Sequence, residues 1–197
     1  MYLNHGGGKS LGWFTKSELY KFYQNIHGAV YSFSFCDKKP DDKVLPYELE
    51  DTFYVGISGG KKGVSTMTYD LKDNNTGRGM LYTNFAKRMK THFSNFEKYD
   101  NFTENKYELF HEKYHPHLNK NKQIYVNLCL PGPETKDVMI RSYMSLVESE
   151  FIYLYGLRFD TLPLMNLAEQ EGKKFKEGSV SQKKLLEYMS GNVENFI

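Results

Sequence analysis

The side chains able to do chemistry in this sequence stand at a few readable spacings. His111-Glu112-Lys113-Tyr114-His115 spells HExxH, which on a helix sets two imidazoles one turn apart for zinc, with the glutamate as general base. Pro116 follows at once and disfavours helical backbone at His115, and no apolar helix flanks the motif, so a zinc peptidase is not expected. His111, His115 and His117 are left as contacts to a polyanion or as adventitious metal ligands. Gly6-Gly7-Gly8-Lys9-Ser10 suggests a phosphate loop, but the Walker spacing puts Leu3 where its first glycine belongs and no strand precedes it, so residues 1–14 read as a flexible terminus. Cys36 and Cys129 lack metal-binding spacing and read as small buried apolar groups. Arg88 and His92 are four apart, which on a helix puts a guanidinium and an imidazole on one face. Glu148 lies three residues before Phe151 and four before Ile152, so it shares their sheet-facing side, where a carboxylate needs a reason. Glu150, two residues on, points elsewhere.

These residues need a scaffold, and 197 residues suffice for one domain with arms. Hydrophobic residues make up 40%, enough for a sizeable core, so disordered and collagen-like chains are excluded. No apolar run approaches the roughly 20 residues a membrane span needs, and the N-terminus has no secretory pattern, so an intracellular protein without membrane contact is expected. The 26 basic residues nearly balance the 24 acidic ones, so net charge alone points to no polyanionic partner. The 16 tyrosines and 14 phenylalanines supply core packing and, for the tyrosines, hydroxyls that could serve chemistry.

Along the chain, Thr15 to Ile26 reads as an amphipathic helix with Thr15 as N-cap and Leu19, Phe22 and Ile26 on one face. From Val30 the period becomes two, with Tyr31, Phe33 and Phe35 alternating with Ser32 and Ser34, which predicts a half-buried strand. Asp37 to Asp51 is a loop, and Thr52 to Ile57 is the returning antiparallel strand. Thr83 to Phe93 is a helix capped by Thr83, with Phe85, Met89 and Phe93 inward and Lys87, Arg88, Lys90 and His92 as its polar complement. Residues 94–122 are charged and aromatic without a clean period and read as an insertion, as do residues 58–82. Ile124 to Leu130 is a third strand, and Asp137 to Tyr155 a helix long enough to cover one sheet face. Residues 167–197, with Lys173, Lys174, Lys176, Lys183 and Lys184, form a basic helical tail. The expected fold is mixed α/β (α+β): a small, mainly antiparallel three-stranded sheet flanked by helices in a single domain.

Taken in order, several segments resemble the GIY-YIG nuclease family. Gly28-Ala29-Val30-Tyr31 is similar to the first half of its naming motif and Tyr54-Val55-Gly56 to the second half. The segment Phe85 to His92 resembles its arginine helix, Glu148-Ser149-Glu150-Phe151-Ile152 its glutamate followed by an aliphatic, and Leu162-Pro163-Leu164-Met165-Asn166 its closing Pro-x-x-Asn. The first half departs from the pattern, with the glycine one place early, but keeps the tyrosine. The resemblance spans residues 28–166, about two thirds of the chain.

The resemblance implies a Mg²⁺-dependent DNA endonuclease, with Mn²⁺ as a substitute metal, that hydrolyses phosphodiesters through a tyrosine-assisted water. Glu148 would be the metal ligand, with Glu150 as the alternate if the register slips by two. Arg88 would hold the scissile phosphate, and Tyr31 or Tyr54 would orient or deprotonate the water; either fits that role. His92 would hydrogen-bond that tyrosine or the phosphate, and Asn166 would pin the glutamate helix or contact phosphate. Lys61 and Lys62 could supply a cation to a tyrosine or grip DNA, and Lys87 and Lys90 would add backbone contacts. The long insertions point to the stand-alone, restriction-type branch acting in the cytoplasm of a prokaryotic or phage-infected host, with a homodimer on DNA if the target is palindromic. A nicking enzyme of a phage or mobile element and a non-catalytic DNA-binding module are the other readings.

Overall fold

Aromatic side chains alternating with small residues build the central strand of the protein, as seen in a computed structural model that describes residues 9–23, 26, 28–59, 79–98, 105–117, 122–131 and 140–166. Strand β2 (Gly28–Cys36) pairs antiparallel with β3 (Thr52–Gly59) on one side and with β4 (Gln123–Leu130) on the other. A fourth strand, β1 (Lys9–Phe14), adds antiparallel to β4, so the sheet order is β1-β4-β2-β3. The fold is therefore α+β with a four-stranded antiparallel sheet, and the segment expected to be a loose terminus supplies an edge strand. What fixes β1 is a side-chain clamp invisible in local sequence: the Asp42 carboxylate accepts from the Trp13 backbone N–H at 2.9 Å, and the Trp13 indole donates to the Val44 carbonyl at 2.9 Å. Gly12, at φ 92°, leaves room for Asp42, whose carboxylate oxygen would stand 2.4 Å from any Cβ placed there.

β2 is buried along all but its last residue, where half-burial was expected. Ser32 and Ser34 face the second helical layer instead of water, and Ser34 meets Thr52 hydroxyl to hydroxyl at 2.6 Å. A sheet covered on both faces explains this. On one face Tyr31, Phe33, Phe35, Phe53 and Tyr54 pack with α2 (Gly79–Glu97) and α3 (Asn105–Tyr114) through Phe85, Met89, Phe96 and Phe110. On the other, Val30, Val55 and Cys129 pack with Met144, Val147, Phe151 and Ile152 of α4 (Ile140–Phe159).

The helices differ in detail from the sequence expectation. Thr15 caps α1 (Lys16–Leu19) in a reciprocal capping box with Glu18, yet the α-helix lasts one turn. Its bonds tighten from the i−4 pattern at Leu19 and Tyr20 to the i−3 pattern at Lys21 and Phe22, while Leu19 and Ile26 still reach the core. α2 starts at Gly79, so Thr83 lies inside the helix and is not its cap, and the helix runs on past Phe93 to bury Phe96. The segment read as an insertion without period contains α3, whose Tyr107, Phe110, His111 and Tyr114 form one buried face. That helix ends before His115, which opens a 3₁₀ turn with Pro116, as the proline requires. Among the described residues no helix is long and apolar enough to cross a membrane. Lys61, Lys62 and the 167–197 tail lie outside the described residues.

Candidate active site

The site begins with strand register. Tyr31 stands opposite Gly56 and Phe33 opposite Tyr54, so the two tyrosines share a face but are diagonal neighbours. The Tyr54 ring bridges that offset by lying along its own strand over Gly56: a Cβ at Gly56 would meet Tyr54 Cε1 at 2.8 Å and its hydroxyl at 2.9 Å. Only glycine tolerates this approach. The ring centroids of Tyr31 and Tyr54 come to 6.0 Å, and the hydroxyls hydrogen-bond.

Helix α2 lays its other two polar groups on this pair. Phe85, Met89, Phe93 and Phe96 bury its inward face, and the i,i+4 spacing then aims Arg88 and His92 at Tyr31. Arg88 Nε donates to the Tyr31 hydroxyl at 3.2 Å, and the guanidinium also hydrogen-bonds Tyr54. His92 Nε2 lies 2.8 Å from the same Tyr31 hydroxyl, and its Nδ1 lies 2.9 Å from the hydroxyl of Tyr107 on α3. Tyr31 and His92 are fully buried, whereas Arg88 is exposed and connects the cluster to solvent.

Lys106, beside Tyr107, is 3% exposed and places its ammonium 5.1 Å from the Tyr54 ring centroid and 5.5 Å from that of Tyr107. A cation over two aromatic faces recovers part of its desolvation cost. Among the described residues, Arg88 and Lys106 are thus the cations at the tyrosines, the part considered for Lys61 and Lys62.

Electrostatics fix the resting protonation. Burial pushes the Tyr31 hydroxyl up to about 12, with the Arg88 charge, the hydrogen bonds from Arg88 and Tyr54 pulling the other way and the Glu148 charge adding to the rise. Burial, then the charges of Arg88 and Lys106, hold His92 well below the ordinary imidazole range. Arg88 keeps its charge as any arginine does, and its interaction with Tyr31 raises it further above the ordinary range. Near neutrality the cluster therefore contains a tyrosine hydroxyl, a neutral imidazole and a guanidinium cation.

Of the two glutamates, Glu148 is the one whose charge reaches Tyr31, while the charge of Glu150 acts on the buried Cys129 thiol. Glu148 is partly exposed and Glu150 buried. Asn166 is buried too, and its amide is spent on backbone: its oxygen accepts from Val55 N–H at 2.8 Å and its nitrogen donates to Val55 C=O at 2.7 Å. α4 ends at Phe159, and the reversal at Asp160, at φ 52°, lets the following segment reach back to edge strand β3. Asn166 thereby ties that segment to the residue between Tyr54 and Gly56. Lys87 and Lys90 stand exposed on α2, Lys90 above the Tyr23 ring at 5.9 Å.

Three other features stay apart from the cluster. A groove of about 730 Å³ lies near the C-terminal end of α2, lined by Tyr20, Phe93, Phe96, His115 and Lys122 among others, and includes no residue of the cluster. His111 donates its Nε2–H to the Asn95 carbonyl at 2.7 Å, which takes that nitrogen away from the HExxH chemistry. Cys36 and Cys129 are free thiols, Cys129 buried and Cys36 partly so.

Sequence reading missed Tyr107 and Lys106. The available signal was the spacing of Tyr107, Phe110, His111 and Tyr114, a helical face hidden among charged residues. Comparison of the chain with protein-family models, with curated proteins and with solved structures returned no match.

Proposed function

We propose that the protein is a DNA endonuclease of GIY-YIG type that hydrolyses phosphodiesters with a water activated at Tyr31. The observation carrying this reading is the convergence of Arg88, Tyr31, Tyr54 and His92 on one hydrogen-bonded point, with Glu148 near enough to influence it. Phosphodiester hydrolysis needs a proton acceptor for water, a donor fork for the phosphate oxygens and a place for a cation beside the leaving oxygen.

Arg88 would take the scissile phosphate. It is exposed, charged and already docked on both tyrosines, so its orientation is set before substrate arrives. A water at Tyr31 would replace one of the two donors, Tyr54 or Arg88, that fill the lone pairs of its buried oxygen. With the hydroxyl pushed up to about 12, Tyr31 rests as a neutral phenol near pH 7. The Tyr31–His92 contact offers a route that needs no tyrosinate: as water attacks phosphorus, its proton passes to the Tyr31 oxygen and the Tyr31 proton passes to Nε2 of His92. The P–O bond to the leaving oxygen breaks in the same displacement, and that oxygen is protonated from solvent. Imidazolium beside Arg88 and Lys106 is disfavoured at rest, but the phosphate brings negative charge to Arg88 and offsets that repulsion.

The described residues contain no group of three or more His, Cys, Asp or Glu able to hold a metal. Mg²⁺ needs no such cage, because it binds through one or two carboxylates plus waters and substrate phosphate. Glu148 fits that demand as the single protein ligand, and the bound cation would supply charge neutralisation at the leaving oxygen.

Incubating the protein with plasmid DNA and Mg²⁺ tests the reading: Tyr31→Phe, Arg88→Ala and Glu148→Ala should each lose cleavage while still shifting DNA on a native gel. Restriction-type cutting yields discrete fragments, and nicking yields open circles. Salt-sensitive binding with no cleavage under Mg²⁺ or Mn²⁺ would leave a DNA-binding module.

A further inference from the structure

Both ring nitrogens of His92 meet tyrosine hydroxyls, Nε2 at 2.8 Å from Tyr31 and Nδ1 at 2.9 Å from Tyr107. A neutral imidazole has one N–H and one lone pair, so the two tyrosines must play opposite roles. We propose that Tyr107 is a positioning residue of the site: its oxygen accepts the Nδ1–H of His92, fixing the tautomer whose Nε2 lone pair receives the Tyr31 hydroxyl proton.

Hydrogen-bond counting leaves two arrangements, and charge decides between them. Arg88 Nε can only donate, so it occupies a lone pair of the Tyr31 oxygen in either case. In the first arrangement Tyr54 and Arg88 donate to Tyr31, Tyr31 donates to Nε2, and Nδ1–H donates to Tyr107. The Tyr31 and His92 protons then both point away from the guanidinium. The reverse arrangement drives an Nε2–H at the oxygen that Arg88 already holds, with each bond dipole aimed at the cation. Arg88 stands within hydrogen-bond distance of the Tyr31 end of this chain, 3.2 Å from the hydroxyl, whereas the Lys106 ammonium lies 5.5 Å from the Tyr107 ring centroid at the other end, so the first arrangement wins. The burial of His92 removes water as a competing partner that could select the other tautomer.

The tautomer follows from the hydrogen-bond geometry and the placement of the Arg88 charge, while its use in catalysis rests on the nuclease reading above. If Tyr31 is to give its proton to His92 as it takes one from water, the Nε2 lone pair must face it beforehand. α3, from a segment outside every motif of the family resemblance, would then be part of the site. Tyr107 touches no substrate in this account.

Nitrogen-15 NMR of the histidine rings in DNA-free, metal-free protein tests the positioning role directly. His92, assigned by loss of its signals in His92→Gln, should show protonated Nδ1 and unprotonated Nε2, and Tyr107→Phe should shift it towards the Nε2–H tautomer. An Nε2–H tautomer in the parent, or no change in Tyr107→Phe, overturns the proposal. Reading the parent spectrum requires only that His92→Gln folds, and circular dichroism checks this for His92→Gln and for Tyr107→Phe. On plasmid, Tyr107→Phe should cut about tenfold more slowly with unchanged DNA affinity and an altered pH profile. An Nδ1–H parent whose tautomer shifts in Tyr107→Phe, but which never cuts DNA, would retain the positioning role and reject the nuclease.

Discussion

At the scale of the residue, the site depends on how closely side chains can approach. Gly56 lets the Tyr54 ring lie flat on its strand, and a methyl group there would collide with the ring at 2.8 Å. Gly56→Ala is expected to push Tyr54 off Tyr31 and Arg88, costing about 1–3 kcal/mol of stability and about 10²-fold in cleavage rate. A thermal melt and a single-turnover assay read the two effects separately, and an alanine variant with full activity would mean the Tyr54 contact is idle. Arg88→Lys keeps the charge and discards the planar fork, so it should retain DNA affinity yet lose about 10²-fold or more in rate. A lysine variant as fast as the parent would reduce Arg88 to a point charge.

At the scale of the element, the tyrosine-bearing edge strand is held from outside the sheet. Asn166 supplies both a donor and an acceptor to Val55, the pairing an additional strand would give, and so covers an edge between the two motif residues. Asn166→Ala leaves a buried N–H and C=O without that partner and should destabilise the fold by about 1–3 kcal/mol. Hydrogen exchange should show the Val55 amide losing protection first. Unchanged exchange there would deny the clamp. The hairpin of β2 and β3, the helix bearing Arg88 and the helix bearing Glu148 were readable because each carries its own period of two or 3.6 over many residues. Tyr31, Tyr54, Arg88 and His92 were readable as candidates by resemblance and by spacing on those elements. β1 was not, since its place depends on Asp42 and Val44 reaching back to Trp13, a contact some thirty residues long in sequence. α3 escaped because its apolar face is interleaved with Lys106, Glu108, Glu112 and Lys113, and with it went Tyr107 and Lys106. The tail helix and the loop lysines rest on composition alone.

At the scale of the whole molecule, the buried cluster sets how stability responds to pH. His92 titrates well below its ordinary value in the folded protein, so its contribution is full above about pH 6.5 and is lost as pH falls, because the unfolded chain then binds a proton the fold refuses. Tyr31 in the cluster and, apart from it, the buried Tyr155 of α4, whose hydroxyl donates to the Glu50 carbonyl at 2.7 Å, are both raised to about 12 and give the opposite flank: their contribution is full below about pH 10 and falls as pH rises towards 12, because the unfolded chain ionises first. Urea midpoints across this range should trace a plateau with both shoulders, and His92→Gln should flatten the acid one. An acid shoulder of the same depth in that variant would assign it to other groups.

The proposed nuclease requires Tyr31, Arg88 and Glu148 to cooperate in cutting DNA. Supercoiled and linear plasmid should be incubated in Mg²⁺ with the parent protein and, in parallel, with Glu148→Ala, and the products resolved on a gel. Cleavage by the parent alone is expected, with both proteins binding the DNA. Equal cleavage by both would contradict the role of Glu148, and binding without cleavage by either would contradict the enzyme.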